Sequence, residues 1–328
     1  MEDKTFTAIL GAGSWGTALA LTLARKGSPV RIWSIETSEI RAMQTEKANN
    51  RYLPGIPLPN SIHPCEDLAT TIKNIRDILI VVPSAGFKQT LISLKPLLSP
   101  SQRIICASKG LEDKTGQLLS EMVEEVLGNI PFAVLSGPSF AKEVAQGLSC
   151  AVNIASKDAQ FLKELQEKFQ SDVFFVYPSS DVTGVEIGGV IKNVIAIATG
   201  MADGLEAGAN VRSAIITFGL AEIISLGVAL GAKRETLLGL AGVGDLILTC
   251  SDNQSRNRRL GLALGKGKSI EAAEKEIGQV VEGKRNAELA VILAKKLNIS
   301  MPICLTVWEI LQGKLDAKSG LKKFFNPS

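Results

Sequence analysis

Near residue 180 the texture of this 328-residue chain changes, and no other feature limits its fold so tightly. Before that point, short apolar runs of strand type alternate with stretches of helical period. Strands are expected at 6–10, 30–33, 78–82, 103–107, 132–135, 151–155 and 173–177, and helices at 14–25, 115–127 and 158–169. The runs 6–10 and 78–82 are almost continuously apolar, as strands covered by helices on both faces are. Beyond residue 182 only helical spacing continues, at 184–198, 213–230, 257–264, 287–297 and 306–311. The fold class is therefore α/β: an N-terminal doubly wound, Rossmann-type parallel sheet followed by an all-helical C-terminal domain. Pro178-Ser179-Ser180-Asp181 marks the boundary, dividing the chain into 1–180 and 181–328. Two domains also suit the length, at about 150 residues each.

Composition removes several function classes. Lys and Arg total 36 against 33 Asp and Glu, a net charge of +3, which predicts no broad nucleic-acid or membrane surface. With a single histidine, His63, no metal site with two or three His ligands can be built, and none is predicted. The five cysteines are scattered and never form C-x-x-C, so they read as small buried hydrophobes in a reducing compartment. Met1-Glu2-Asp3-Lys4 lacks the form of a signal peptide, and the apolar stretch 214–232 carries Glu222, so it reads as a buried helix rather than a span. These features point to the cytoplasm. The tail Lys322-Lys323-Phe324-Phe325 reads as a packed or frayed terminus.

Gly11-Ala12-Gly13-Ser14-Trp15-Gly16 fits G-x-G-x-x-G, follows an apolar strand and opens the helical run Thr17-Ala18-Leu19-Ala20-Leu21. In that setting Gly11 makes the tight turn, Gly13 lets backbone N–H groups approach a pyrophosphate, and Gly16 lets helix and strand pack closely. The helix N-terminus favours the negative charge. A bound NAD or NADP is predicted. The second strand ends Trp33-Ser34-Ile35-Glu36, with Arg31 and Arg41 nearby, a pattern that fits either a ribose hydroxyl or a 2′-phosphate.

Two further loops fall at strand ends, where open α/β sheets bind ligands. Ser108-Lys109-Gly110 supplies a cation, and Ser136-Gly137-Pro138-Ser139 supplies a hydroxyl at the start of a helix, a pairing that suits an anionic substrate. In the helical domain, Glu186-Ile187-Gly188-Gly189-Val190-Ile191-Lys192-Asn193-Val194-Ile195-Ala196 sets one lysine in apolar surroundings. Burial weakens an ammonium's hold on its proton, which suits general acid–base work near neutral pH. Asp245, alone in Leu240-Ala241-Gly242-Val243-Gly244-Asp245, is its expected partner. Ser255-Arg256-Asn257 reads as a helix start offering hydroxyl, guanidinium and amide to an anion, with Arg258 and Arg259 as an exposed basic helix end. Tyr52 and Tyr177 lack a lysine four residues on, which leaves lysine as the proton donor.

Taken together, the stretches 11–20, Asn50-Arg51-Tyr52-Leu53-Pro54-Gly55, 108–112, 136–145, 186–204, 239–257 and 280–286 resemble the bacterial-type NAD(P)-dependent glycerol-3-phosphate dehydrogenase family. The resemblance implies reversible reduction of dihydroxyacetone phosphate to sn-glycerol 3-phosphate, supplying glycerophospholipid synthesis, and a homodimer. It implies that Lys192 is the general acid/base, completed by Lys109 and Asp245. Gly137, Ser139, Asn193, Thr249, Ser255, Arg256 and Asn257 would meet the substrate. Ser14, Trp15, Lys109, Ala141, Arg256, Val280 and Glu282 would meet the cofactor. Ser34-Ile35 departs from the family, in which many members carry Arg soon after the Trp that ends the second strand. The alternatives are a ketopantoate or hydroxyacid reductase, whose substrates are carboxylates, and a non-catalytic dinucleotide sensor.

Overall fold

The computed structural model describes residues 6–325. Its elements form two compact units: the described residues up to Lys109 with Leu119–Val182, and Gly110–Leu118 with the described residues from Thr183 onward.

The first unit is built in chain order from β1 (Thr7–Leu10), α1 (Ser14–Arg25), β2 (Val30–Trp33), α2 (Thr37–Glu46), β3 (Ile62–Cys65), α3 (Leu68–Ile72), β4 (Asp77–Ile80) and α4 (Ser84–Leu94). It continues through β5 (Arg103–Cys106), α5 (Leu119–Leu127), β6 (Phe132–Ser136), α6 (Ala141–Gln146), β7 (Cys150–Ser156), α7 (Ala159–Phe169) and β8 (Phe174–Ser179). The strands form one eight-stranded sheet in the order β3-β2-β1-β4-β5-β6-β7-β8. Strand alternation divides its apolar residues between two faces. Ile9, Leu79 and Ile105 pack on one side with Leu19 and Leu23 of α1, and Ala8, Ile78, Ile80 and Ile104 on the other with Phe87 and Leu91 of α4. At the start of β4 and β5 the buried Arg103 grips Asp77 at 2.6 Å and Glu164 at 2.6 Å, and its guanidinium lies over the Phe161 ring.

The observed strands match the expected ones with two corrections. β3 carries no alternating signal, because Ile62-His63-Pro64-Cys65 places a proline in the strand; β3 is an edge strand, the position where a missing N–H is tolerated. The sheet is also not wholly parallel, since β7 runs antiparallel to β6 and β8 parallel to β7. The six-residue α6 between them extends only about 9 Å, shorter than a strand of five residues at about 3.3 Å each, so the chain turns back rather than crossing over.

The second unit contains α8 (Val182–Gly204), α9 (Ala209–Ala229), α10 (Arg234–Leu237), α11 (Asp245–Ser251), α12 (Arg256–Gly265), α13 (Ile270–Ile277), α14 (Glu282–Leu297), α15 (Pro302–Leu311) and α16 (Ala317–Phe325). The segment Gly110–Leu118 belongs with these helices: Leu111 and Leu118 form a bridge and are buried in the helical core, and Arg285 pairs with Asp113. A single cut after residue 180 omits this excursion. The tail is packed: Phe324 is buried, and Lys323 pairs with Glu309.

α8 is buried throughout its most apolar stretch. It crosses α12 with backbone against backbone. A methyl on Gly200 or Gly204 would strike the carbonyl oxygens of Arg258 or Leu262, and one on Gly261 or Gly265 those of Ile197 or Met201. α9 differs from its sequence reading, for it is buried along one side only. Ile215, Gly219, Ile223 and Leu226 face the core, whereas Phe218 and Val228 are exposed. Its buried Glu222 accepts hydrogen bonds from Ile303 N and Cys304 N, supplying the first turn of α15 with acceptors.

Burial raises the Glu222 carboxyl above its ordinary pKa, against the opposing pull of hydrogen bonds from Cys304 and Ile303. The native protein therefore holds this proton more firmly than the unfolded chain does. Its contribution to stability is greatest below the unfolded carboxyl pKa and falls as pH rises through the folded value. Wild-type protein is expected to gain stability over Glu222→Gln as pH is lowered from 7 to 5, measured by urea unfolding at each pH. Gly261→Ala is expected to cost about 2–3 kcal/mol in the same measurement, because the methyl has no space at the crossing.

Candidate active site

The fingerprint loop is shaped around backbone. Gly11, at φ +119°, lies against the Val81 carbonyl, and Gly16 backs onto Gly11, so neither position accepts a side chain. Open space lies over Gly13. Gly13 is the N-cap of α1 and offers no side-chain oxygen, which leaves the first N–H groups of the helix for an external acceptor. Trp15 Nε1 is buried with no hydrogen-bond partner. The loop is held from behind by Asn49, whose Nδ2 donates to Ala12 O and Thr17 Oγ1, both at 2.8 Å. Sequence reading missed Asn49, because nothing in Lys47-Ala48-Asn49-Asn50 separates it from a surface amide. These features fit a dinucleotide pyrophosphate.

At the end of β5 the half-buried Lys109 reaches Gly137 O at 3.4 Å. Ser139 Oγ donates to the same carbonyl at 3.0 Å. α6 is capped by Phe140, and the Ser139 hydroxyl expected at the helix start instead closes a turn on Gly137. Ala141 opens that helix. Ser136 Oγ is buried without a partner.

In the second unit Lys192 and Asp245 form a buried ion pair. The local chain explains why they meet. Gly188 and Lys192 lie one turn apart on α8, and a methyl on Gly188 would strike the Ala241 carbonyl, so this face sits directly on residues 241–242. The chain winds through a wide turn at Leu240–Gly244 and delivers Asp245, only 1% exposed, to the same face. Thr249 Oγ1 donates to Asp245 O at 2.6 Å. Burial pushes the neighbouring Cys250 thiol up to about 12 despite a hydrogen bond with Thr199 and the nearby Lys192 charge. Cys250 is thus a neutral neighbour of the ion pair.

Ser255 caps α12, accepting from Arg258 N at 3.2 Å. Arg256 is half-buried and makes no hydrogen bond or ion pair within the described residues. Asn257 is buried and bonded to Asn193 and Gly283. Arg258 is not the exposed helix end its sequence suggested. It is buried, with Nη2 on Asp203 at 2.5 Å, Nη1 on Cys250 O at 3.1 Å and Nε on Asn253 Oδ1 at 3.0 Å. Arg259 is half-buried with an unpartnered Nε. Adjacent arginines look alike in sequence, and only the helical rotation between them decides which faces Asp203. Val280 is 62% exposed, and Glu282 opens α14.

A family model described as the N-terminus of NAD-dependent glycerol-3-phosphate dehydrogenase matches residues 7–162, and one for its C-terminus matches residues 181–322. The chain belongs to this family. Over 312 residues it is 50% identical to a Vibrio vulnificus glycerol-3-phosphate dehydrogenase (NAD(P)+), covering 94% of this chain and 90% of that one. A Tolumonas auensis protein of the same name is 48% identical over 317 residues, 96% of this chain and 95% of that one. The crystal structure of glycerol-3-phosphate dehydrogenase from Coxiella burnetii matches with a TM-score of 0.96 at 49% identity, over 98% and 99% of the two chains. D-mandelate dehydrogenase, at 14% identity and a TM-score of 0.64, shares the fold alone.

Within this family member the two arginines divide their work. Arg258→Ala is expected to lower stability by about 2–3 kcal/mol, because it strips the largely enclosed Asp203 carboxylate of one partner and empties a buried site. Arg256→Ala should change stability by less than about 0.5 kcal/mol. Urea unfolding of both variants checks the contrast.

Proposed function

We propose that the chain interconverts dihydroxyacetone phosphate and sn-glycerol 3-phosphate with NAD(P)H, and that Lys192 is its general acid/base. The observation that carries the reading is the buried Lys192–Asp245 pair. An ammonium enclosed with a carboxylate is held in one position and is poorly hydrated, so its proton is directed rather than averaged over solvent. The nicotinamide cofactor, when bound at the α1 N-terminus, supplies the hydride for the carbonyl carbon. Lys192 Nζ donates its proton to the carbonyl oxygen as negative charge grows there, and in the reverse direction takes it from the hydroxyl. Asp245 steadies the ammonium before transfer, and Thr249 steadies Asp245 through its backbone.

The phosphate, remote from the reacting carbon, supplies binding energy that orients the ketone. Arg256 suits it, as a guanidinium with no internal partner beside the first N–H groups of a ten-residue helix. Ser255, Asn257, Asn193, Gly137 and Ser139 belong to the same reading as substrate neighbours. Lys109 adds a cation at the carboxyl end of β5. Gly11, Gly13, Ser14, Trp15, Gly16, Ala141, Val280 and Glu282 are read as cofactor neighbours, with Lys109 and Arg256 contributing to both sets.

The product feeds glycerophospholipid synthesis in this reading, and five cysteines outside any disulfide suit a reducing cytoplasm. A homodimer is part of the same proposal. The exposed side of α9 carries Thr217, Phe218, Ala221, Ser225 and Val228 without a charge, a surface that can pack on its own copy about a two-fold axis. Ala221→Glu is expected to yield a monomer by light scattering from a dimeric wild type.

Turnover of dihydroxyacetone phosphate with NADH and with NADPH tests the activity. Lys192→Met should lower kcat by about 10³-fold while the cofactor dissociation constant stays within about twofold. Near-normal turnover in that variant removes the assignment. Arg256→Ala should raise KM for dihydroxyacetone phosphate by about 30-fold and KM for the nucleotide by far less.

A further inference from the structure

Three helices of the second unit meet at Asn257. α14 begins at Glu282 after Val281, whose side chain has no oxygen with which to cap the helix, so the first N–H groups need an acceptor from elsewhere. Asn257 Oδ1, on α12, accepts from Gly283 N at 2.9 Å. With its oxygen engaged there, the Asn257 amide turns its nitrogen to Asn193 Oδ1 on α8, at 2.8 Å. The donors run in one direction, from Gly283 to Asn257 and from Asn257 to Asn193. Asn193 stands next to Lys192 in the chain and is 4% exposed. Its oxygen is already bonded, so what it has left to offer is chiefly N–H.

The relay depends on the absence of a side chain at its origin. A methyl on Gly283 would lie 2.6 Å from Asn257 Oδ1, 2.8 Å from Asn193 O and 2.9 Å from Ile197 Cδ1. A second tie runs beside it, from Asn286 Nδ2 to Val190 O at 3.2 Å, so α14 is fastened to α8 again one turn further on.

We propose that Gly283 and the Asn257 side chain are positioning residues that lock the Asn193 amide with its N–H groups toward the substrate. The site thereby selects a ligand that presents oxygen acceptors beside the carbonyl served by Lys192, and rejects one that presents an amine. This rests on the functional reading above. Such a hydrogen bond discriminates because a buried donor left unpaired is costly, whereas the matched acceptor satisfies it.

Asn257→Asp tests the relay with little change of shape. It keeps the acceptor for Gly283 N–H and replaces the donor facing Asn193 with a second acceptor. The kcat/KM for dihydroxyacetone phosphate is measured for wild type, Asn257→Asp, Asn193→Ala and the double variant. Each single change should lower it by about 30-fold, and the double should fall no more than about threefold below the worse single, since both remove one interaction. Gly283→Ala, carried through the same cycle with Asn193→Ala, should repeat the pattern and stands in if Asn257→Asp fails to fold. Losses that multiply across the cycle, or a single Asn257→Asp within about twofold of wild type, overturn the relay. An inactive wild type overturns the functional reading together with it, whereas multiplying defects in an active enzyme remove the relay alone.

Discussion

The helical unit depends on contact between backbones along α8. Four glycines, two on each helix, allow α8 and α12 to approach until main-chain atoms touch, and Gly188 does the same against Ala241 and Gly242. Side chains can adjust by rotating, but a carbonyl in a helix cannot, so these contacts fix register more sharply than apolar packing does. Lys192 and Asn193 lie on α8 between the two contacts. Their positions against Asp245 on one side and Asn257 on the other follow from a crossing that permits no slack.

Among the described residues, charge enters the interior in several ways besides the Arg258–Asp203 contact. Lys192 and Asp245 neutralise each other as a buried ion pair. Asp77, Arg103, Glu164 and Lys168 spread opposite charges over a network at the beginning of two strands. Glu222 has no cationic partner among these bonds and takes backbone N–H groups from a helix start instead. The network and the cap join elements distant in sequence and read as scaffolding. The Lys192–Asp245 pair instead joins α8 to the start of α11 beside Asn193 and Thr249, residues that the proposed reaction uses.

Much of this was legible in the residues. The glycine fingerprint, the alternation before residue 180 and the helices after it are local patterns, and local patterns survive into the fold. Lys192 and Asp245 could be paired because each is conspicuous in apolar surroundings. Where the sequence misled, the missing information was directional or nonlocal. The reversal of β7 depends on how far a short helix can carry the chain, and β3 depends on an edge position that tolerates Pro64. Arg256 and Arg258 differ by about 200° of helical rotation, which alone sends one to Asp203 and leaves the other unpaired. Asn49 and Gly283 act through partners far away in the chain and leave no local mark.

The enclosed thiol of Cys250 has a consequence for how the protein meets its surroundings. Disulfide exchange and alkylation proceed through the thiolate, and at this position the thiolate is scarce at physiological pH and out of reach of solvent. Cys304 is shut away in the same fashion beside Glu222. An electrophile or oxidant in the cell therefore finds these two sulfurs only when the helices around them open, so their modification would record the breathing of the helical unit and not the chemistry of its site.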